Sequence, residues 1–274
     1  MNAKSKHIKL QFQGFLKTPI LWKIHDVMGL KQLELPKMDD FVFDEPLDTN
    51  LRLGKRVERF VSAELKRHKD ISNCCENLQI QQEKITLGEL DCILKWHDCP
   101  IHLEIVFKFY LYDDRVGTTE FEHWIGPNRN DTLIKKLNKL CDKQLPLLYN
   151  ASTKYILDDL NLNASQIQQR VYFKAQLFLP YRSETLKFSL LNKECLKGFY
   201  VHFSELRQFE DCKFYIPSKV NWLMEVQTQT DWMAYALFHE KIEELMKNKV
   251  SSLCWIKFPN GNTQKFFVVW WDET

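Results

Sequence analysis

The residues predict an α/β fold with a mixed central sheet. Three observations point there: between 51 and 180 the apolar pattern changes period in the order helix, three strands, helix, strand; two of those strands gather charge on one face; and the helix after them carries an amide inside its apolar stripe. A helical cap over 1–50 precedes this core, and an α+β extension packed on it follows over 181–274.

Over about 51–66, Leu53, Val57, Phe60, Val61 and Leu65 fall on one helical stripe, with Glu58 at its border. A short strand is expected over 77–81, and longer ones over 86–95 and 101–111. Side chains alternate across a strand, so Ile101, Leu103, Ile105, Phe107, Phe109 and Leu111 share one face, and His102, Glu104, Val106, Lys108 and Tyr110 the other. In the preceding strand Glu89, Asp91, Ile93 and Lys95 oppose Leu90, Cys92, Leu94 and Trp96. A turn over 97–100 pairs Trp96 with Ile101 and sets Asp91 diagonal to Glu104 and Lys108, with Glu89 opposite Lys108. A slip by two residues sets Asp91 directly opposite Glu104 on the same faces; a slip by one would drive charge into the apolar layer.

The loop Gly126-Pro127-Asn128-Arg129-Asn130-Asp131 leads into a helix over about 132–147, with Asn130 or Asp131 as N-cap. Leu133, Leu137, Leu140 and Gln144 fall within one narrow arc of that helix, so an amide interrupts the stripe, flanked by Lys136, Lys139 and Lys143. Arg129 near the helix start is placed to bind an anion. A strand over 171–179 ends at Pro180; strand-like runs follow at 198–203 and 213–216, then a helix over 232–247 with Asp231 as N-cap, and a hairpin of 253–258 with 264–271 around Asn260-Gly261.

Chemistry enters through the charged face. Carboxylates on neighbouring strands can hold Mg²⁺ by oxygen, and a lysine on the same face can neutralise charge at phosphorus. The same pattern also describes cross-strand ion pairs, each contributing roughly 0.2–1 kcal/mol; a core glutamine and a solvated lysine face are the corresponding structural roles for the helix.

With 274 residues, 45% of them hydrophobic and 27% charged, the chain has the composition of a globular protein of one large or two small domains. Formal net charge is +2, so any nucleic-acid surface must be a local patch. The 8 cysteines show no zinc-ligand spacing and are expected as reduced thiols. The start, Met1 to His7, leads into Lys9, Gln11 and Gln13, and no apolar run reaches about 18 residues, which argues for a cytoplasmic protein with no membrane partner. The tryptophans, with Trp222, Trp232, Trp255, Trp270 and Trp271 near the C-terminus, are expected to pack a core rather than stack on bases.

Glu58 on the first helix, Gly88-Glu89-Leu90-Asp91 on the second strand, Glu104 on the third, and Lys136 with Gln144 on the next helix resemble the restriction-endonuclease-like αβββαβ core of the PD-(D/E)XK nuclease superfamily. The phrases Leu53-Gly54-Lys55-Arg56-Val57-Glu58, His102 to Leu111 and Gly126 to Asp131 resemble one uncharacterised bacterial branch, the DUF1853 family. That resemblance implies a metal-dependent hydrolase acting on nucleic acid, DNA before RNA, with Mg²⁺ or Mn²⁺ as cofactor. It implies Asp91 and Glu104 as metal ligands, Glu58 as an accessory ligand, and Gln144 with Lys136 at the scissile phosphate; Arg129, Lys139 and Lys143 extend the nucleic-acid contacts. The superfamily places its lysine two residues after the strand acid, where this chain has Val106. Lys108, four residues on and about 13 Å along a strand, or Lys136 from the helix, is the catalytic lysine expected instead. The alternatives are a catalytically silent member that binds nucleic acid or protein, and a globular protein whose charged face is an ion-pair layer.

Overall fold

A computed structural model describes residues 3–36, 42–183 and 188–271; the side chains of Ala3, Lys4, Asn73 and Cys74 are outside the description, as are Met1 and Asn2. In chain order the elements are α1 (Ala3–Lys17), α2 (Leu53–Leu65), β1 (Ile71–Gln82), β2 (Ile85–Trp96), β3 (Cys99–Tyr112), β4 (Trp124–Ile125), α3 (Leu133–Lys139), α4 (Ala151–Asp159), β5 (Gln168–Pro180), β6 (Leu196–His202), β7 (Lys213–Tyr215), β8 (Met233–Ala234), α5 (Tyr235–Lys247), β9 (Ser252–Lys257) and β10 (Thr263–Val269). This is an α/β chain with a mixed, largely antiparallel sheet, and α2, β1, β2, β3, α3 and β5 follow the order expected from periodicity. Among the described residues no helix is long and apolar enough to cross a membrane, and Cys99, Cys141, Cys212 and Cys254 are thiols.

The chain forms two compact units, and β3 and β5 contribute residues to both. The unit made of Ile20–Phe107 and Lys135–Lys174 carries the sheet order β1-β2-β3-β5. Its core gathers Ile80, Leu90 and Ile93 from the strands with Leu148, Leu157 and Leu162. A Cβ at Gly88 would meet Leu147 Cδ2 at 2.7 Å, so a larger residue there would displace the end of the Leu147 side chain. In α2, Val57, Phe60, Val61 and Leu65 are buried as the stripe requires. Beyond α1, the described residues of the stretch expected as a helical cap form no further helix before α2; they carry turns and the isolated bridges Ile20 to Lys174 and Gln32 to Val171.

The unit made of Met1–Pro19, Lys108–Ile134 and Ala175–Thr274 carries β6, β10, β9, β7 and β8 in that order, with β6 parallel to both β5 and β10. Phe199, Phe214, Phe238, Ile242 and Phe266 form its core, and Trp255 and Trp271 are buried as expected. The helix expected from Trp232 begins at Tyr235 instead, and Ala234, not Asp231, is its N-cap residue. Met233 and Ala234 pair with β7, which holds this stretch extended and delays the helix by three residues.

Two further corrections concern the elements that carry the charged residues. The β2/β3 turn is His97-Asp98 alone, with φ of 47° and 64°, so the loop has two residues rather than four. Positive φ at both positions is the two-residue hairpin geometry that matches strand twist. Trp96 therefore pairs with Cys99 and Cys92 with Leu103, the two-residue slip. The helix over 132–147 also changes pitch: α3 ends at Lys139, Leu140–Gln144 is a π turn closed by Leu145 N–H to the Leu140 carbonyl, and Leu145–Tyr149 is 3₁₀. Pro146 explains the break, since it has no N–H to donate to the carbonyl of Asp142.

Candidate functional site

The β2/β3 ladder runs from Trp96 and Cys99 to Cys92 and Leu103; the next pair in this register is Asp91 with Glu104. There Asp91 Oδ2 accepts the Ile105 N–H at 2.8 Å, so a carboxylate satisfies a backbone donor where strand pairing stops.

Glu104 is fully buried, as is His102 two residues before it. A buried carboxylate is tolerated only when its oxygens are hydrogen-bonded. His102 Nε2 lies 3.0 Å from Oε1, and Gln144 Nε2 donates to Oε2. Gln169 Nε2 donates to the Leu145 carbonyl at 2.6 Å and lies 3.1 Å from His102 Nδ1. With its amide orientation set by that carbonyl, Gln169 donates to Nδ1, so the ring proton sits on Nε2 and points at Glu104. On the other side Lys136 Nζ donates to Gln144 Oε1 at 2.6 Å. The π turn thus delivers the amide that interrupts the apolar stripe of Leu133, Leu137 and Leu140, all three buried, onto the strand acid.

Asp91 is the electrostatic anomaly. Burial first, then the charges of Glu104 and Glu58, push its carboxyl up to about 7, against the opposing pull of the Ile105 N–H and Lys136. Glu58, Ser62 and Lys55 lie on one face of α2. Burial raises the Glu58 carboxyl above the usual range, with Lys55 opposing. Lys55 Nζ contacts Glu58 at 2.8 Å, Glu89 at 2.7 Å and Asn77 at 2.9 Å. A cavity of about 10 Å³, room for one water-sized occupant, is lined in part by Glu58, Ser62, Asn77 and Asp91. Among the described residues the Ser62 hydroxyl, buried, has no hydrogen-bond partner.

These residues fit a hard cation in one limited sense. Among the described residues no group of three or more His, Cys, Asp or Glu side chains is arranged to hold a metal ion. The Asp91–Glu104 pair is the kind of donor set Mg²⁺ uses when water and substrate phosphate complete its coordination.

Of the residues expected at the site, Glu58, Asp91, Glu104, Lys136 and Gln144 share one unit and interact with one another. Lys139 and Lys143 are in that unit and exposed to solvent. Lys108 and Arg129 belong to the other unit, where Lys108 Nζ binds Asp131 Oδ2 at 2.5 Å and Arg129 Nη1 binds Asp113 Oδ2 at 2.9 Å. The expected pairing of Glu89 with Lys108 is replaced by Glu89 with Lys55. Sequence reasoning did not assign Lys55, His102 or Gln169 to the site. His102 had a signal, its place on the face of Glu104; Lys55 had one too, its place one helical turn before Glu58. Gln169, on another strand, had none.

No curated protein and no solved structure matches the chain. A family model described as domain of unknown function (DUF1853) matches residues 28–269. On that match, which spans most of its length, the chain belongs to the DUF1853 family.

Proposed function

We propose that this chain is a metal-dependent nuclease of the PD-(D/E)XK type, hydrolysing phosphodiester bonds in nucleic acid, DNA before RNA, at a centre built on Asp91 and Glu104. The observation that carries the reading is the Asp91 carboxyl, pushed up to about 7 by burial and by the charges of Glu104 and Glu58. Carboxylates held together at such a cost are a recognised mark of sites that take a cation or move a proton. Support also comes from the order α2, β1, β2, β3, α3, β5 with these side chains on α2, β2, β3 and the turn after α3.

Asp91 and Glu104 would hold Mg²⁺ or Mn²⁺, with Glu58 accessory. Once bound, such a cation lowers the pKa of water and offsets charge gathering on the phosphate. Gln144 and His102 fix the orientation of Glu104, and Lys136 presents an ammonium beside Gln144 and Asp91. On that support we assign Lys136 the role left open by Val106.

A silent, binding-only member is the second reading. It is favoured by the closed bonding: both Glu104 oxygens are engaged, and Lys55 bridges Glu58 and Glu89.

The test is calorimetric titration of Mg²⁺ and Mn²⁺ into the wild type and Asp91→Asn, with cleavage of single-stranded, duplex and branched DNA and of RNA followed in parallel. Metal binding and cleavage lost together in the variant support the nuclease. Metal binding without cleavage of any substrate supports the silent reading, and a wild type that binds neither metal sinks the metal centre.

A further inference from the structure

In the unit that includes the C-terminal strands, a cavity of about 690 Å³ is lined by Arg115, Arg129, Lys247, Lys249, Trp270 and Trp271. That volume suits a ligand of nucleotide size rather than a single ion. Its described lining holds two guanidiniums, two ammoniums and no carboxylate. Asp113, 1% exposed, sits behind the arginines and takes Arg115 Nε and Arg129 Nη1, each at 2.9 Å. One acid thus orients two guanidiniums and leaves net positive charge on the cavity side. Lys247 is tied only loosely, at 3.4 Å to exposed Glu243.

The aromatic rings make this more than a basic patch. The Arg129 guanidinium lies 4.8 Å from the Trp271 ring centre, and Lys249 Nζ lies 5.6 Å from that of Trp270. Trp271 is buried, whereas Trp270 is partly exposed on the cavity. Cations interleaved with an accessible indole are the combination that grips a phosphate and stacks a base.

The loop Gly126 to Asp131 builds this wall. Gly126 N–H bonds the Asp131 carbonyl at 2.7 Å and Arg129 N–H bonds the Gly126 carbonyl at 2.8 Å, which closes the loop and holds Arg129 at φ 60°. The Pro127 carbonyl accepts Trp271 Nε1–H at 3.0 Å, and Asn128 Oδ1 accepts the Ser251 N–H at 2.8 Å. A non-glycine residue in that backbone region is retained where its surroundings over-determine it.

We propose that this cavity binds one nucleoside phosphate unit, with the phosphate among Arg115, Arg129, Lys247 and Lys249 and the base against Trp270. The source is either a free nucleotide or the phosphorylated end of a single strand. No residue of the Asp91–Glu104 centre takes part, so the proposal stands whether or not that centre hydrolyses anything.

The experiment is titration of the full chain in EDTA with ADP, adenosine, inorganic pyrophosphate and a 5′-phosphorylated oligothymidylate, read by calorimetry and tryptophan fluorescence. Binding of ADP or the oligonucleotide, weakened about tenfold or more by K247A/K249A and unchanged by Asp91→Asn, supports the proposal. Trp270→Ala is expected to weaken ADP about tenfold and leave pyrophosphate unaffected; should that variant not fold, the lysine pair carries the test. Tighter binding of ADP assigns a free nucleotide, and tighter binding of the oligonucleotide assigns a strand end. No binding of either, binding indifferent to the lysine pair, or binding of pyrophosphate as tight as ADP and equally indifferent to Trp270 overturns it. Loss of metal binding or cleavage in Asp91→Asn bears only on the other centre.

Discussion

Gln144 donates its side-chain amide to Glu104 Oε2, joining a π turn to a strand 40 residues earlier in the chain. Glu104 depends on it, because its carboxylate has no solvent to fall back on. Gln144→Leu is expected to destabilise the protein by about 1–3 kcal/mol, read from urea unfolding. An unchanged midpoint would mean that His102 alone satisfies the acid.

The Asp91 carboxyl sets a pH dependence with a definite sign. Its folded value, about 7, lies above the ordinary 3.8, so between those values the folded state binds the proton more tightly than the unfolded chain. Stability from this group is therefore present at low pH and lost as pH rises through about 7. In EDTA, the urea midpoint of the wild type should fall over that window relative to Asp91→Asn, and saturating Mg²⁺ should shrink the difference. Parallel pH profiles for the two proteins would remove the anomaly.

Lys136 and Lys108 should separate kinetically. Lys136→Ala is expected to lower cleavage by roughly 10²–10³, the usual loss for one charge-stabilising donor. Lys108→Ala should leave the rate within about threefold, because its ammonium is engaged by Asp131. The reverse ranking would assign the catalytic lysine to β3.

At the β2/β3 turn, His97 and Asp98 both adopt positive φ, which Asn and Gly adopt more readily. Replacing the pair by Asn-Gly is expected to raise stability by about 1 kcal/mol, measured as an increased thermal midpoint. A lowered midpoint would show that the His97 ring, stacked on Trp96, contributes more than the backbone gains.

Lys265 is buried, and burial lowers its amine from 10.5 to about 8. Nζ donates to Gln176 Oε1 and the Trp222 carbonyl, each at 3.0 Å. Here the unfolded chain binds the proton more tightly, so stability should rise with pH between about 8 and 10.5. Lys265→Met should lack that rise; a variant that keeps it would show another group responsible.

Local pattern was enough for the helices and strands whose burial is decided within the element. Val57, Phe60, Val61 and Leu65 mark α2, and the alternation of β3 places Glu104 and Phe107 on opposite faces. Even the anomaly of Gln144 is legible, as an amide within an apolar stripe, though the helix expected over 132–147 runs across Pro146, which breaks it.

What neighbours in the sequence determined was therefore periodicity, the segregation of charge and the placement of the candidate residues on α2, β2, β3 and the segment after α3. Tertiary structure alone decided which partner each charge takes. Both registers compatible with the faces keep Asp91 with Glu104, and only the two-residue turn at His97-Asp98 selects one. Lys55 rather than Lys108 reaches Glu89, Gln169 orients His102 from a distant strand, and Asp113 gathers Arg115 and Arg129 from separate loops. Such pairings depend on distances across space of a few ångströms, where a hydrogen bond is made or lost, and no period along the chain encodes them.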